Sequence, residues 1–215
     1  FEGEAAERGG KKAVVTGNPV RQEITKIDPP AERFAGRGGR LRLLVFGGSL
    51  GARFLNHLLP RAISLLPSES RPEIIHQCGF KAVDEVKALY AEAGVEAAVQ
   101  PFIEDMAAAY TWSDLVLCRA GATSVSEICS AGAASLLVPL VVKTTSHQLQ
   151  NALFMEQNGA SRCLRQDSLT PERLSAVLAS IDRAQLLSMA EAARKLSHSN
   201  AASAVADMIE SRADR

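Results

Sequence analysis

The sequence has no excess charge of either sign: 24 Lys and Arg balance 24 Asp and Glu. That balance argues against general binding to nucleic acid, and no nucleic-acid partner is expected. No apolar run is long enough to cross a bilayer. The longest, Ala133–Val142, is already broken by Ser135 and Pro139, and a span needs about 20 residues. No leader with a basic start and an apolar stretch opens the chain, so nothing marks it for export. Phe1 rather than Met begins it, which points to a processed or cut piece. Cysteine is scarce. Cys78, Cys118, Cys129 and Cys163 form no CxxC and no Cys/His ligand spacing, which argues against zinc and for reduced thiols in a cytoplasmic setting. His57, His76, His147 and His198 are scattered, and no Ser/His/Asp or Cys/His set is visible. No carboxylate cluster suits a cation, so no metal and no cofactor is expected. There are no internal repeats and no low-complexity tract.

What the chain does have is an ordinary globular composition over 215 residues, 47% apolar and 22% charged. That is enough for one domain with a sizeable core. Arg119–Ala152 organises it. The apolar run Asp114–Cys118 leads into a glycine-containing turn, Arg119–Ala122, and then a helix starting near Thr123 or Ser124. Either hydroxyl could cap that helix, and Glu127 follows Ser124 at capping-box spacing. A second apolar run, Ser135–Val138, stops at Pro139, and a polar loop leads to Gln148 and Asn151 at another helix start.

Residues 1–12 carry no periodicity and read as a tail. Ala13–Val15 reads as a short strand, Thr16–Arg21 as a turn, and Pro29–Pro30 with Gly36–Gly39 as a loop or short linker. Arg40–Phe46 is the clearest strand, apolar as expected where both sheet faces are covered. A helix to about Leu66 follows, with Phe54, Leu55, Leu58, Leu59, Ile63 and Leu66 at helical spacing. Strands at Glu73–Gln77, Val95–Gln100, Asp114–Cys118 and Ser135–Val138 alternate with helices at Lys81–Ala93, up to Trp112, and His147–Asn158. Arg162–Leu164 is a further short strand, and helices follow at Pro171–Ser180, Ala184–Lys195 and Ala201–Arg212. Alternating β and α with short connections predicts an α/β fold, a Rossmann-like doubly wound parallel sheet. Its organisation is a tail and interdomain segment over residues 1–39, then a ligand-binding domain over 40–215. Right-handed crossovers put the polar and glycine-rich loops on one rim, where ligands of such sheets bind.

Glu127 is the residue to single out on that rim. It is either a capping or solvated carboxylate, or one whose two oxygens accept from a vicinal diol. The small residues around it, Gly121, Ala122, Ser124 and Ser126, leave room for a ligand. Gly47, Gly48 and Gly51, with Ser49 between them, make a strand-turn-helix of the phosphate-binding kind, although a tight turn that merely packs needs glycines too. Arg21 and Arg119 are candidate anion or base contacts, or simply solvated. His147 and Gln148 could bond a sugar, or form an exposed helix start. Phe102 and Ile103 pack, or offer backbone to the edge of a base. Met106, Tyr110 and Trp112 read as helix packing.

TGNPVR, LVFGGSLGARFLN, HQCG, PFIEDMAAAYTWSDLVLCRAGATSVSEI and HQLQNA occur in that order from about Lys12 onward. Together they resemble the C-terminal half of the MurG family, the N-acetylglucosaminyltransferases of peptidoglycan synthesis within the GT-B superfamily. The resemblance implies a UDP-N-acetylglucosamine-binding domain of an inverting enzyme that converts lipid I to lipid II. It implies that Glu127 binds the ribose hydroxyls, that Ser49 and the Gly47–Gly51 turn hold the diphosphate, and that Ile103 meets uracil beside Phe102. Arg21 matches the arginine of GNPVR near the nucleotide. Gln148 matches a glutamine that contacts the sugar, with His147 and Asn151 beside it.

Leu50 stands where many members have Gln, His147 replaces the first of a Gln pair, and Thr145 stands where a common member has Asp. The family's N-terminal half, with its GGTGGH loop, proposed catalytic histidine and membrane patch, is not in this sequence. The expected partners are therefore the donor sugar directly, and the lipid I acceptor and cytoplasmic membrane face through that other half. Sugar transfer by this chain alone is not expected. The competing readings are a donor subunit of a two-chain transferase, a related GT-B enzyme such as a UDP-N-acetylglucosamine 2-epimerase, and a non-catalytic nucleotide-sugar sensor.

Overall fold

The computed structural model describes residues 14–48, 51–141, 146–198 and 200–213. Two short helices, α1 (Gln22–Thr25) and α2 (Pro30–Phe34), precede the sheet. Then come β1 (Arg42–Phe46), α3 (Arg53–Ser64), β2 (Glu73–Gln77), α4 (Val83–Glu92), β3 (Ala98–Gln100) and α5 (Met106–Trp112). β4 (Leu115–Cys118), α6 (Ala122–Ala131), β5 (Ser135–Leu137), α7 (His147–Gln157) and β6 (Ser161–Cys163) follow. The chain closes with α8 (Pro171–Ala179), α9 (Arg183–Lys195) and α10 (Ala201–Ala213). All the strand pairs are parallel, in the order β3-β2-β1-β4-β5-β6. The order reverses between β1 and β4, which makes that junction the switch point of the sheet.

The central strands alternate side chains between two cores. Leu43 and Val45, with Leu115, Leu117 and Leu136, join the face covered by α3, α8 and α9. Leu44 and Phe46, with Val116, Cys118 and Leu137, join the face covered by α1, α5, α6 and α7. Burial on both faces is why these strands read as unbroken apolar runs rather than an alternation. Each fully buried Leu or Ile contributes about 1.5–3 kcal/mol through its removal from water.

Three sequence expectations need correction. Of the strand expected at Ala13–Val15, Ala13 lies outside the described residues, and Val14 and Val15 are exposed and in no strand. The segment around Pro29–Pro30 is not a mere loop. Pro30 occupies the first position of α2, where its missing N–H costs nothing, and Ile24 and Ile27 are buried in the second core. Arg33 of α2 is buried and donates to the carbonyls of Asp28, Tyr110, Ala131 and Gly132. Residues 22–37 thus pack into the same body as the sheet. Third, α6 begins at Ala122 with Gly121 as its N-cap and no side-chain cap, so the Ser124–Glu127 capping box does not form.

At the opposite end of the sheet from the rim, Asp114 is 2% exposed. It pairs with Arg37 at 2.6 Å and Arg183 at 3.1 Å and accepts from the Arg42 N–H at 3.0 Å. One carboxylate there fastens the 37–39 loop, α9 and β1 together.

Candidate functional site

The carboxyl ends of β1, β4 and β5 lie side by side, and each feeds a helix whose N-terminus faces the rim. None of α3, α6 and α7 has a side-chain cap, and none carries an acid in its first turn. By contrast α5, α8 and α9 are capped by Asp105, Thr170 and Asp182. The first N–H groups of a helix have no intrahelical partner, and the macrodipole there favours negative charge. Among the described residues no side chain caps these three starts, so the rim presents uncapped N–H groups suited to an anion.

The glycines after β1 divide by role. A Cβ on Gly47 would lie 2.4 Å from the Ala52 nitrogen, and one on Gly51 2.0 Å from the Cys78 carbonyl oxygen. These two serve close packing. Gly48 adopts φ +87, and among the described residues nothing lies within 4 Å of a Cβ built there, which leaves room for a ligand on that side of the turn. At Gly121 the nearest atom to a built Cβ is Ser124 Oγ at 4.0 Å. Ala122, next to it, is exposed at the first position of α6. Ser49, Leu50 and Thr145 lie outside the described residues.

Glu127 sits in the second turn of α6, 8% exposed, and is neither a cap nor a solvated acid. Its carboxylate accepts from Arg21 Nη2 at 2.9 Å on one oxygen and from the Tyr110 hydroxyl at 3.3 Å on the other. Tyr110 is fully buried with its ring edge-on to Phe46. Burial first, and the neighbouring carboxylate second, hold its phenol well above the usual range, so it stays a donor. The Arg21 side chain is 51% exposed and reaches in from the segment before α1. Arg21, Ile24 and the 104–107 stretch line an open cleft beside this pair.

The other expected residues sort as follows. Phe102 is exposed and stacks on exposed Phe80, centroids 6.4 Å apart. Ile103 is buried, and its N–H donates to Gln77 Oε1 at 2.8 Å. That leaves the Ile103 carbonyl as the backbone group it can offer to a ligand. His147 is exposed at the first position of α7. Gln148 Oε1 accepts from the Leu140 N–H at 2.9 Å, and among the described residues nothing engages its NH2. Asn151 turns back and donates to the Ala120 carbonyl at 2.9 Å, fixing the turn after β4. Arg119 donates to the Val138 carbonyl and lies over the Phe54 ring.

Two buried partners were missed by sequence reasoning. Tyr110 reads as packing because its helix face is apolar; the only hint is that a buried tyrosine needs a bond for its hydroxyl. His76, one of the scattered histidines, is 1% exposed and bonds Asn56 Oδ1 and the Tyr90 hydroxyl. Asn56 donates on to the Cys78 carbonyl, against which Gly51 packs. Burial pushes the His76 imidazole down to about 4. Among the described residues, no group of three His, Cys, Asp or Glu side chains could hold a metal ion. Cys78, Cys118 and Cys129 are buried, Cys163 is partly so, and all are free.

Residues 42–210 match the glycosyltransferase family 28 C-terminal domain. Over 212 residues the chain is 54% identical to a UDP-N-acetylglucosamine–N-acetylmuramyl-(pentapeptide) pyrophosphoryl-undecaprenol N-acetylglucosamine transferase of Methylibium petroleiphilum, covering 98% of this chain. It is 53% identical over 210 residues to the like-named protein of Chromobacterium violaceum, covering 97% of this chain. It spans 58% of the length of both of these curated relatives. The crystal structure of MurG from Acinetobacter baumannii superposes with a TM-score of 0.81 at 37% identity, over 94% of this chain and 58% of that one.

Proposed function

Because the chain belongs to the glycosyltransferase family 28 C-terminal domain family, we propose that its rim binds UDP-N-acetylglucosamine as the donor for transfer to a lipid-linked muramyl acceptor. The observation that carries this is the convergence at the β1/β4 switch point. The two strands of that junction lead into the uncapped starts of α3 and α6, the turn after β1 has room at Gly48, and α6 carries the buried carboxylate of Glu127. A nucleoside diphosphate needs both: donors for its phosphates and an acceptor pair for its ribose diol.

On this reading the diphosphate lies over Gly48 and the N-termini of α3 and α6. Glu127, held by Tyr110 and Arg21, accepts from the two ribose hydroxyls with its remaining lone pairs. The Ile103 carbonyl accepts from the uracil N3–H, which cytosine lacks. The NH2 of Gln148 meets a sugar hydroxyl, with His147 beside it. In the reaction, the acceptor hydroxyl attacks the anomeric carbon as the bond to UDP breaks, with inversion. Negative charge grows on the leaving diphosphate, where fixed N–H groups stabilise it without reorganising. The acceptor is a polyprenyl diphosphate in the relatives' name, so the same reading places the reaction at the cytoplasmic membrane face.

Calorimetric titration with UDP-N-acetylglucosamine, UDP-glucose and the Glu127→Ala variant tests this. The expected result is preference for the N-acetyl sugar and a loss of about 1.5–3 kcal/mol in the variant, the worth of hydrogen bonds to a charged group. A folded variant that binds as well as the parent overturns the ribose role of Glu127.

A further inference from the structure

Gln77, in the HQCG segment, has no part in the reading so far, yet it touches two of the loops that reading uses. It is the last residue of β2 and 4% exposed. Its Nε2 donates to the Gly48 carbonyl at 2.9 Å, and its Oε1 accepts from the Ile103 N–H at 2.8 Å. The Gly48 carbonyl also accepts from the Gly51 N–H at 3.0 Å, closing the glycine turn. The backbone after Gln77 runs the same way. The Cys78 and Gly79 N–H groups donate to Gln100 and Pro101, just before Phe102, while the Cys78 carbonyl lies against Gly51.

We propose that Gln77 is a positioning residue that fixes the spacing between the phosphate-facing turn and the base-facing loop. A ligand carrying both base and diphosphate then meets both loops at once. The proposal rests on the nucleotide reading above. A primary amide suits the task because it presents one donor and one acceptor from a single buried group. Met fills the space with neither. An ionised Glu keeps the acceptor toward Ile103 but has no proton for Gly48. A ligand that spans two subsites gains from their preset separation, and one that occupies a single subsite does not.

The test is a chemical-shift titration of the parent chain, Gln77→Met and Gln77→Glu with three probes: UDP, uridine and inorganic diphosphate. In Gln77→Met, UDP binding is expected to weaken about tenfold, while uridine and inorganic diphosphate each change less than threefold. The Ile103 amide is expected to lose its protection from hydrogen exchange in Gln77→Met and to keep it in Gln77→Glu. UDP binding within twofold of the parent in both variants overturns the proposal, as does an equal loss for UDP and uridine. If Gln77→Met does not fold, Gln77→Glu decides: UDP binding weakened more than that of inorganic diphosphate, with the Ile103 amide still protected, supports the clamp, and unchanged UDP binding or an equal loss for UDP and inorganic diphosphate overturns it. If the parent does not bind UDP, the nucleotide reading itself falls and takes the clamp with it. Parent binding with insensitive variants removes the clamp alone.

Discussion

Glu127 shows how far a residue's role depends on where its helix begins. Moving the start from Thr123 or Ser124 to Ala122 takes it out of the capping position and turns it toward Tyr110. His76 carries the clearest pH dependence. Its imidazole is buried against Asn56 and Tyr90 and sits at about 4 rather than the usual 6.5. Between those values the unfolded chain binds a proton that the native state refuses, so stability rises with pH across that window. The effect amounts to about 3 kcal/mol, full above pH 6.5 and gone below about 4. Urea unfolding of the parent and His76→Gln measures it. The stability gap between them is expected to be widest above pH 6.5 and to narrow toward pH 4. A gap independent of pH would contradict the buried neutral histidine.

At the scale of elements, the long pieces were legible and the short ones were not. β1 and α3 announce themselves through an apolar run and a repeating stripe. α1 and α2 have 4 and 5 residues, too few for any periodicity, and prolines and glycines around them read as linker. What holds them is tertiary: the Arg33 guanidinium reaching carbonyls 77 to 99 residues away. Burial and the nearby Arg37 and Arg194 push it down to about 10, which still leaves it charged at neutral pH. Arg33→Met strands the carbonyls of Ala131 and Gly132 and leaves that of Tyr110 to the Ser113 hydroxyl. It is expected to cost about 3 kcal/mol, or roughly 6–12 °C in Tm for a domain of this size. Calorimetric melting checks it. A melting temperature within 2 °C of the parent would show that α2 is held by apolar contact alone.

For the whole molecule, the doubly wound parallel sheet was readable because alternating apolar runs and amphipathic stripes admit few other topologies. The rim was readable because glycines and polar residues collect after each strand. What the chain order could not show is which rim groups are already engaged. Asn151 and the oxygen of Gln148 bind backbone, and the Ile103 N–H belongs to Gln77. Two of the three turn glycines are there for packing. These are contacts between distant residues, and single-residue chemistry does not distinguish them from free ligand groups.

The central claim is that a nucleotide sugar binds at the β1/β4 switch point. Mapping amide shifts of this chain on addition of UDP-N-acetylglucosamine tests it most directly. The account predicts saturable shifts at Gly48, Gly51, Arg53, Gly121–Thr123 and Glu127, with the first turn of α8, capped by Thr170, unmoved. Saturable binding whose shifts fall away from the ends of β1 and β4 would contradict it, and so would a folded chain that shows no shifts at all.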